Sequence, residues 1–145
     1  MKLQLGCGVN VWPDYINLDK DDHGQQVIRD VSRGLPFDDN KFDEIYSANF
    51  LEHIRQGEEV YFLMSEMWRV ARPDAEIKII VPASDTPFAF YPDHLSYWNE
   101  LSMAALCNDG YQRSRTLKYN FELVKAYRDT SIVTYEITFI LKVIK

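Results

Sequence analysis

Cysteine, glycine and clustered basic charge are scarce in this 145-residue sequence, and each shortage excludes something. Cys7 and Cys107 form no Cys-x-x-Cys pair, so neither a zinc ribbon nor a dithiol redox motif has its ligands. Two buried free thiols in a reducing compartment is the reading that follows, and no metal site is expected. Sixteen Lys and Arg face 22 Asp and Glu, for a formal net charge of -6, and the basic residues are scattered. Proteins that grip a nucleic-acid backbone concentrate such residues on one face, which argues against a nucleic acid as the partner. No stretch approaches the roughly 20 apolar residues of a membrane span. The apolar run at Leu3 and Leu5 is too short for a signal peptide, so a soluble, cytoplasmic protein is expected. No tract is biased enough to be a linker, and no internal repeat is visible. One domain over residues 1–145 is the expectation.

What is present is alternation. Hydrophobic residues make up 46% of the chain and aromatic residues 14%, enough for a single core. Short apolar strands are expected at 2–5 (KLQL), 15–19 (YINLD), 25–30 (QQVIRD), 42–49 (FDEIYSAN) and 75–82 (AEIKIIVP). The continuous Ile-Ile-Val centre of the last suits a strand buried on both faces. From Glu58 to Arg72 the residues Val60, Leu63, Met64, Met67, Val70 and Ala71 fall on one helical stripe, and Pro73 is expected to stop that helix. A second helix is expected from His94 to Cys107, with Leu95, Trp98, Leu101, Ala105 and Leu106 on its apolar side and Asp109-Gly110 closing it. The last third, "TLKYNFELVKAYRD" and "SIVTYEITFILKVI", reads as two strands joined as a hairpin through "RDTS". Strands alternating with helices, then an antiparallel pair, point to a doubly wound α/β sheet.

The first crossover is too short for a helix. At most nine residues, Val9 to Asn17, separate Gly8 from the second strand, and Pro13 interrupts them. No helix precedes the first strand in the sequence as read. Part of one sheet face is therefore expected to lack cover, and a dimer contact would suit it.

In open α/β sheets, ligands bind beyond the carboxyl ends of the strands. Gly6-Cys7-Gly8, Asp19 and Asp30 all fall at such ends. The glycines let the backbone adopt positive φ and pass close to a ligand. Asp19 can accept from two ribose hydroxyls, and Asp30 from an adenine amino group, with the Val31 N–H reaching a ring nitrogen. A dinucleotide would want a third glycine followed by a helix N-terminus to hold its pyrophosphate. Val11 stands in place of that glycine, and the helix is missing. A cofactor carrying ribose and adenine without phosphate fits better.

Taken together, "LQLGCGVN", "YINLDKD", "VIRDVSRGLPFDDNKFDEIYSANFLEHI", "EMWRVARPDAEIKIIVP" and "PDHLSYWNE" resemble the class I S-adenosylmethionine-dependent methyltransferases. The resemblance is strongest to the type acting on small molecules and cell-surface sugars, and it spans essentially the whole chain. It implies a Rossmann-like, seven-stranded, mostly parallel sheet with an antiparallel C-terminal hairpin and, here, reduced N-terminal helices. It implies S-adenosylmethionine as cofactor and S-adenosylhomocysteine as product. By the same resemblance Leu5, Gly6, Cys7 and Gly8 match the glycine turn, Asp19 with Lys20 the ribose-binding end, and Asp30 with Val31 the adenine-binding pair. Ser47, Ala48 and Asn49 match the segment lining the methyl-transfer site. Leu51, Glu52 and His53 match the "LEH" turn beside the cofactor. Three positions depart from the pattern: Gln4 replaces an acid, Asn10 a glycine, and Pro73-Asp74-Ala75 the usual Pro-Gly-Gly.

The sulfonium is already an activated methyl donor, so alignment at roughly 3 Å does most of the work. A base is needed only for a hydroxyl or protonated-amine acceptor, and His53 and His94 are the candidates. The segment "FAFYPDHLSYW" would lie on the acceptor side, stacking on a sugar or aromatic ring or sealing the gap left by the missing helices. Two other readings compete: a cofactor-binding, catalytically idle partner subunit, and an NAD-dependent dehydrogenase.

Overall fold

The computed structural model describes residues 1–107, 119–129 and 135–145. Seven strands form one sheet: β1 (Lys2–Leu5), β2 (Ile16–Asp19), β3 (Val27–Ile28), β4 (Phe42–Ala48), β5 (Ala71–Pro82), β6 (Phe121–Tyr127) and β7 (Glu136–Val143). Their order is β3-β2-β1-β4-β5-β7-β6. The first five run parallel, while β7 lies antiparallel to β5 and to β6. This is the expected α/β architecture, with strand order reversing between β1 and β4. Two α-helices occur among the described residues, α1 (Glu58–Val70) and α2 (Glu100–Ala104). None is long and apolar enough to cross a membrane.

The core lies on one face of the sheet. Ile45 of β4, Ile77, Ile79 and Val81 of β5, and Ile137, Phe139 and Leu141 of β7 are completely buried. They join a cluster with Val60, Leu63, Met64, Met67 and Val70, the expected stripe of α1. The methionines are packing residues, suited to irregular gaps. Alternate positions point to the other face, where Tyr46, Lys78, Ile80, Thr138 and Ile140 are only half-buried. Period-two alternation of this kind marks a sheet packed firmly on one side.

As expected, turns rather than a helix connect β1 to β2. Asn10 N–H donates to the Cys7 carbonyl and Tyr15 N–H to that of Trp12, at 3.0 and 3.2 Å. The buried Asn17 side chain pins this loop, accepting from Trp12 N–H at 3.0 Å and donating to its carbonyl at 2.8 Å. Trp12 is thereby laid against Tyr46 of β4, with ring centroids 4.6 Å apart. One aromatic side chain takes part of the place a crossover helix would fill.

Several boundaries differ from expectation. The first helix ends at Val70 rather than Arg72, because Ala71 turns extended (φ -80°, ψ 149°) and pairs with Phe42. Arg72 precedes Pro73, whose ring disfavours the α conformation in its neighbour. Pro73 therefore lies inside β5, at a register shift against β4, with Asp74 at φ 64°. The third strand shrinks to Val27–Ile28, since Asp30 caps a single 3-10 turn at Val31–Arg33. The second helix is five residues long. Asn99 and Ser102 form a reciprocal capping box that starts it at Glu100, well after His94. Residues 94–99 are not helical: Leu95 and Ser96 N–H both donate to the Glu52 carbonyl, and Ser84 N–H to that of Trp98. Trp98 and Leu106 are buried, whereas Leu95 and Leu101 are exposed, against the expected apolar side. Asp109-Gly110 and most of the hairpin turn lie outside the described residues.

Arg69 fastens the Leu35–Asp39 loop to α1. Its guanidinium donates to the Leu35 and Phe37 carbonyls at 3.0 and 2.8 Å and pairs with Glu66 and Asp39 at 2.7 Å each. Glu66 also accepts from Leu35 N–H at 2.7 Å. The guanidinium holds the Glu66 carboxyl below its ordinary pKa. A depressed folded-state pKa contributes stability above the unfolded value of about 4.3, lost as pH falls through the lower folded value. Glu66→Gln should cost about 1–3 kcal/mol near pH 7, and this cost should shrink below about pH 4. Urea denaturation of both proteins at several pH values checks it; a pH-independent difference would contradict this account.

Candidate functional site

The carboxyl ends of β1, β2 and β4 open on one edge of the sheet, where the chain leaves β1 through two left-handed glycines. Gly6 has φ +65° and Gly8 φ +50°. The N–H groups of Gly6 and Cys7 both donate to the Leu18 carbonyl, at 2.9 and 3.2 Å, binding the turn to the end of β2. A Cβ on Gly6 would lie well inside van der Waals contact of the Phe50 ring, so a side chain is excluded twice, by conformation and by space. At Gly8 nothing among the described residues lies within 4 Å of a Cβ position. The first glycine packs on protein; the second borders open space.

Asp19 closes the turn from the other side. Its carboxylate accepts from Gly8 N–H at 2.9 Å and from Asp21 N–H at 3.1 Å. Each oxygen keeps further acceptor capacity, since a carboxylate offers about four lone-pair sites. At the next strand end Asp30 accepts from Ser32 N–H at 2.9 Å, a bond that lowers its pKa.

These groups face one open cleft of about 1070 Å³. Of the residues expected there, Gly6, Gly8, Asp19, Lys20, Asp30, Val31, Asn49 and His53 line it. Leu5, Cys7, Ser47, Ala48 and Leu51 do not. Leu5 and Leu51 belong to the core, Ser47 is buried, and Ala48 is half-buried in β4. Cys7 is buried with its thiol donating to the Gly8 carbonyl at 3.4 Å, and burial pushes its pKa up. These residues shape the wall from behind.

A second cavity, about 480 Å³, adjoins the first and shares Asn49, His53 and Asp93 with it. Phe88, Tyr91 and Tyr135 supply its aromatic wall, and Glu52, Glu136 and His94 its polar groups. His53 and His94, expected as base candidates, meet here edge to face with ring centroids 5.0 Å apart. His53 Nδ1 is 3.2 Å from the Asp93 carbonyl, and His94 Nδ1 3.2 Å from that of Ala89. Phe90 and Tyr97, from the same aromatic segment, stack on each other outside this cavity.

Several residues at the two cavities are not among the expected site residues. Phe50 follows the last residue of the expected fourth strand and underlies Gly6. Phe62 and Leu95 line the cleft although they are exposed apolar side chains. Phe62 stands off the apolar stripe of α1, which was its one visible signal. Glu52 was noticed only as part of "LEH". It is 2% exposed, its Oε2 has no hydrogen-bond partner among the described residues, and burial pushes its carboxyl up to about 7.

Comparison with known proteins agrees with this geometry. The family described as Methyltransferase domain matches residues 3–79, which include β1 through most of β5. The chain belongs to that family. Among solved structures, an S-adenosylmethionine-dependent methyltransferase from Aquifex aeolicus is 16% identical over 99% of this chain and 81% of its own, with a TM-score of 0.68. One from Archaeoglobus fulgidus is 14% identical over 97% and 85%, at 0.67. A Haloferax volcanii complex of the Trm112 methyltransferase activator with a putative methyltransferase is similar at 12% identity over 99% and 82%, at 0.66. At such identities the likeness is one of fold. No curated protein matches the chain. The family and the fold expected from the motifs are both met.

Gly6→Ala should lower stability by about 2–5 kcal/mol, combining the left-handed penalty with overpacking against Phe50. In a Phe50→Ala background the same substitution should cost only the conformational part, about 1–2 kcal/mol. A double-mutant cycle by chemical denaturation reads the difference; equal costs in both backgrounds would show that the ring is not the obstacle.

Proposed function

We propose that this methyltransferase-family protein transfers a methyl group from S-adenosylmethionine to a small-molecule or saccharide acceptor. The observation that carries the reading is the meeting of the two cavities at Asn49 and His53. The large cleft suits the cofactor: Asp19 for the ribose hydroxyls, Asp30 and Val31 for adenine, and the open backbone at Gly8 for close approach of the remainder. The cofactor's sulfonium supplies an activated methyl group. The protein's task is then to hold an acceptor in line with it.

The second cavity suits that acceptor. Phe88, Tyr91 and Tyr135 offer ring faces and edges for the apolar side of a sugar or similar small molecule. Glu136 and Asp93 offer carboxylates for its hydroxyls. His53 and His94 stand where a hydroxyl or protonated amine would give up its proton, and a neutral imidazole takes one near neutral pH. Asn49, at φ 50° between the two cavities, borders the point of transfer. We also place a second copy of the chain against the half-buried sheet face around Tyr46, Ile80 and Ile140.

Calorimetry should detect S-adenosylhomocysteine binding and no comparable binding of NAD. Tight NAD binding, or none of S-adenosylhomocysteine, would overturn the cofactor reading. Asp19→Ala should weaken S-adenosylhomocysteine at least about tenfold, the size expected for losing charge-assisted hydrogen bonds. A methyl-transfer screen against sugars and small acids then separates an enzyme from an idle partner. Sedimentation should show a dimer; a monomer at high concentration would remove the second copy from the sheet face.

A further inference from the structure

We infer that Glu52, His53 and His94 form a binding site for a divalent first-row transition-metal ion, with Zn²⁺ the ion to test. One ligand atom from each of the three lies within 4.8 Å of the other two. Donors around a single tetrahedral zinc stand roughly 3.3 Å apart, as bond lengths near 2.0–2.2 Å require.

Proximity alone would carry little, since polar clusters are common. Glu52 adds an independent observation. Its side chain is buried on the wall of the second cavity, and among the described residues Oε2 has no hydrogen-bond partner. A buried carboxylate oxygen without a partner costs more than an exposed one, and a cation at that point satisfies it.

The hydrogen bonds of the two histidines leave each a nitrogen free to ligate. Carbonyl oxygens only accept, so Nδ1 of His53 and of His94 must carry the proton toward Asp93 and Ala89. Each ring is left with an Nε2 lone pair. Metal-bound histidines are held in this way, one nitrogen donating to a carbonyl or carboxylate while the other ligates. For His53 the Asp93 carboxylate also stands 3.5 Å from Nδ1.

The surroundings favour a cation. Asp93 and Glu136 share the cavity wall, and among the described residues neither lysine nor arginine lines it. Two imidazoles and a carboxylate suit zinc and its neighbours; magnesium and calcium prefer all-oxygen shells. Three protein ligands leave a coordination position open to the cavity. The other cluster, Asp19, Asp21 and His23, lacks such a feature, because Asp19 already accepts from Gly8 and Asp21 N–H.

If the acceptor reading above holds, the ion lies beside the acceptor. His53 and His94 then act as ligands, and coordination in place of a base lowers the pKa of an acceptor hydroxyl. The metal site itself does not depend on that reading.

The test is titration of the chelator-stripped 145-residue chain with Zn²⁺ by calorimetry, and with Co²⁺ by visible absorption. One ion per chain should bind, with Co²⁺ bands typical of nitrogen and oxygen ligands. Glu52→Gln and His94→Ala should each weaken Zn²⁺ at least tenfold and reduce the Co²⁺ bands. His53→Gln, at an exposed side chain, should do the same without threatening the fold. His23→Ala should change nothing. Absence of stoichiometric binding, or binding indifferent to all three ligand substitutions, would overturn the site. S-adenosylhomocysteine binding measured on the same sample separates the two proposals. Loss of metal with retained cofactor sinks only this one, and the reverse sinks only the methyl-transfer reading.

Discussion

Two backbone N–H groups, those of Gly6 and Cys7, converge on the carbonyl of Leu18, and the functional edge of the molecule depends on that convergence. The bonds turn the chain out of β1 at the level where β2 ends, so the glycine turn and Asp19 come together. Asp19 then completes the closure through Gly8 N–H. Only a residue without Cβ can make the turn, because the Phe50 ring occupies the space on that side. Phe50 in turn follows β4, the strand on the far side of the reversal in strand order. Three strand ends are therefore locked to one another by three hydrogen bonds and one aromatic contact.

The remaining architecture is economical. One sheet face packs against α1 in a continuous apolar cluster, and the other is half-buried around Tyr46 and Lys78. Where a helix would cross between β1 and β2, Asn17 and Trp12 hold a short loop against the sheet. The ligand-facing edge keeps its depth because it is built from strand ends and the turns after them. Loss of helical cover on a face does not remove it.

Much of this was legible in the sequence, for physical reasons that differ by element. The Ile-Ile-Val strand and the stripe of α1 are strong local signals, and both elements form there, although β5 is buried on one face only, with Lys78 and Ile80 half-buried on the other. The placement of Gly6, Gly8, Asp19 and Asp30 on the cleft was legible because backbone conformation and charge at strand ends leave few alternatives. The segment from His94 to Asn99 was not. Its apolar spacing imitates a helix, but two N–H groups go to the Glu52 carbonyl, and tertiary hydrogen bonds override the local pattern. Glu52 was hidden for a related reason. Its importance lies in burial and a missing partner, and neither is a property of local sequence. Leu5, Cys7 and Leu51 show the opposite case, motif residues whose side chains serve the wall and not the cleft.

β5 carries a consequence for biosynthesis. It pairs with β4 on one edge and with β7 on the other, and Ile79 stands opposite Phe139, sixty residues later. While the chain is being made, the β7 edge of this strand has no partner until residues 136–143 leave the ribosome. Through that interval an Ile-rich strand presents an open ladder of N–H and C=O groups, the kind of edge that recruits other chains. Of the seven strands described, the one latest in the sequence is the one that covers this edge of β5, so a nascent chain stalled before residues 136–143 is the form most exposed to aggregation.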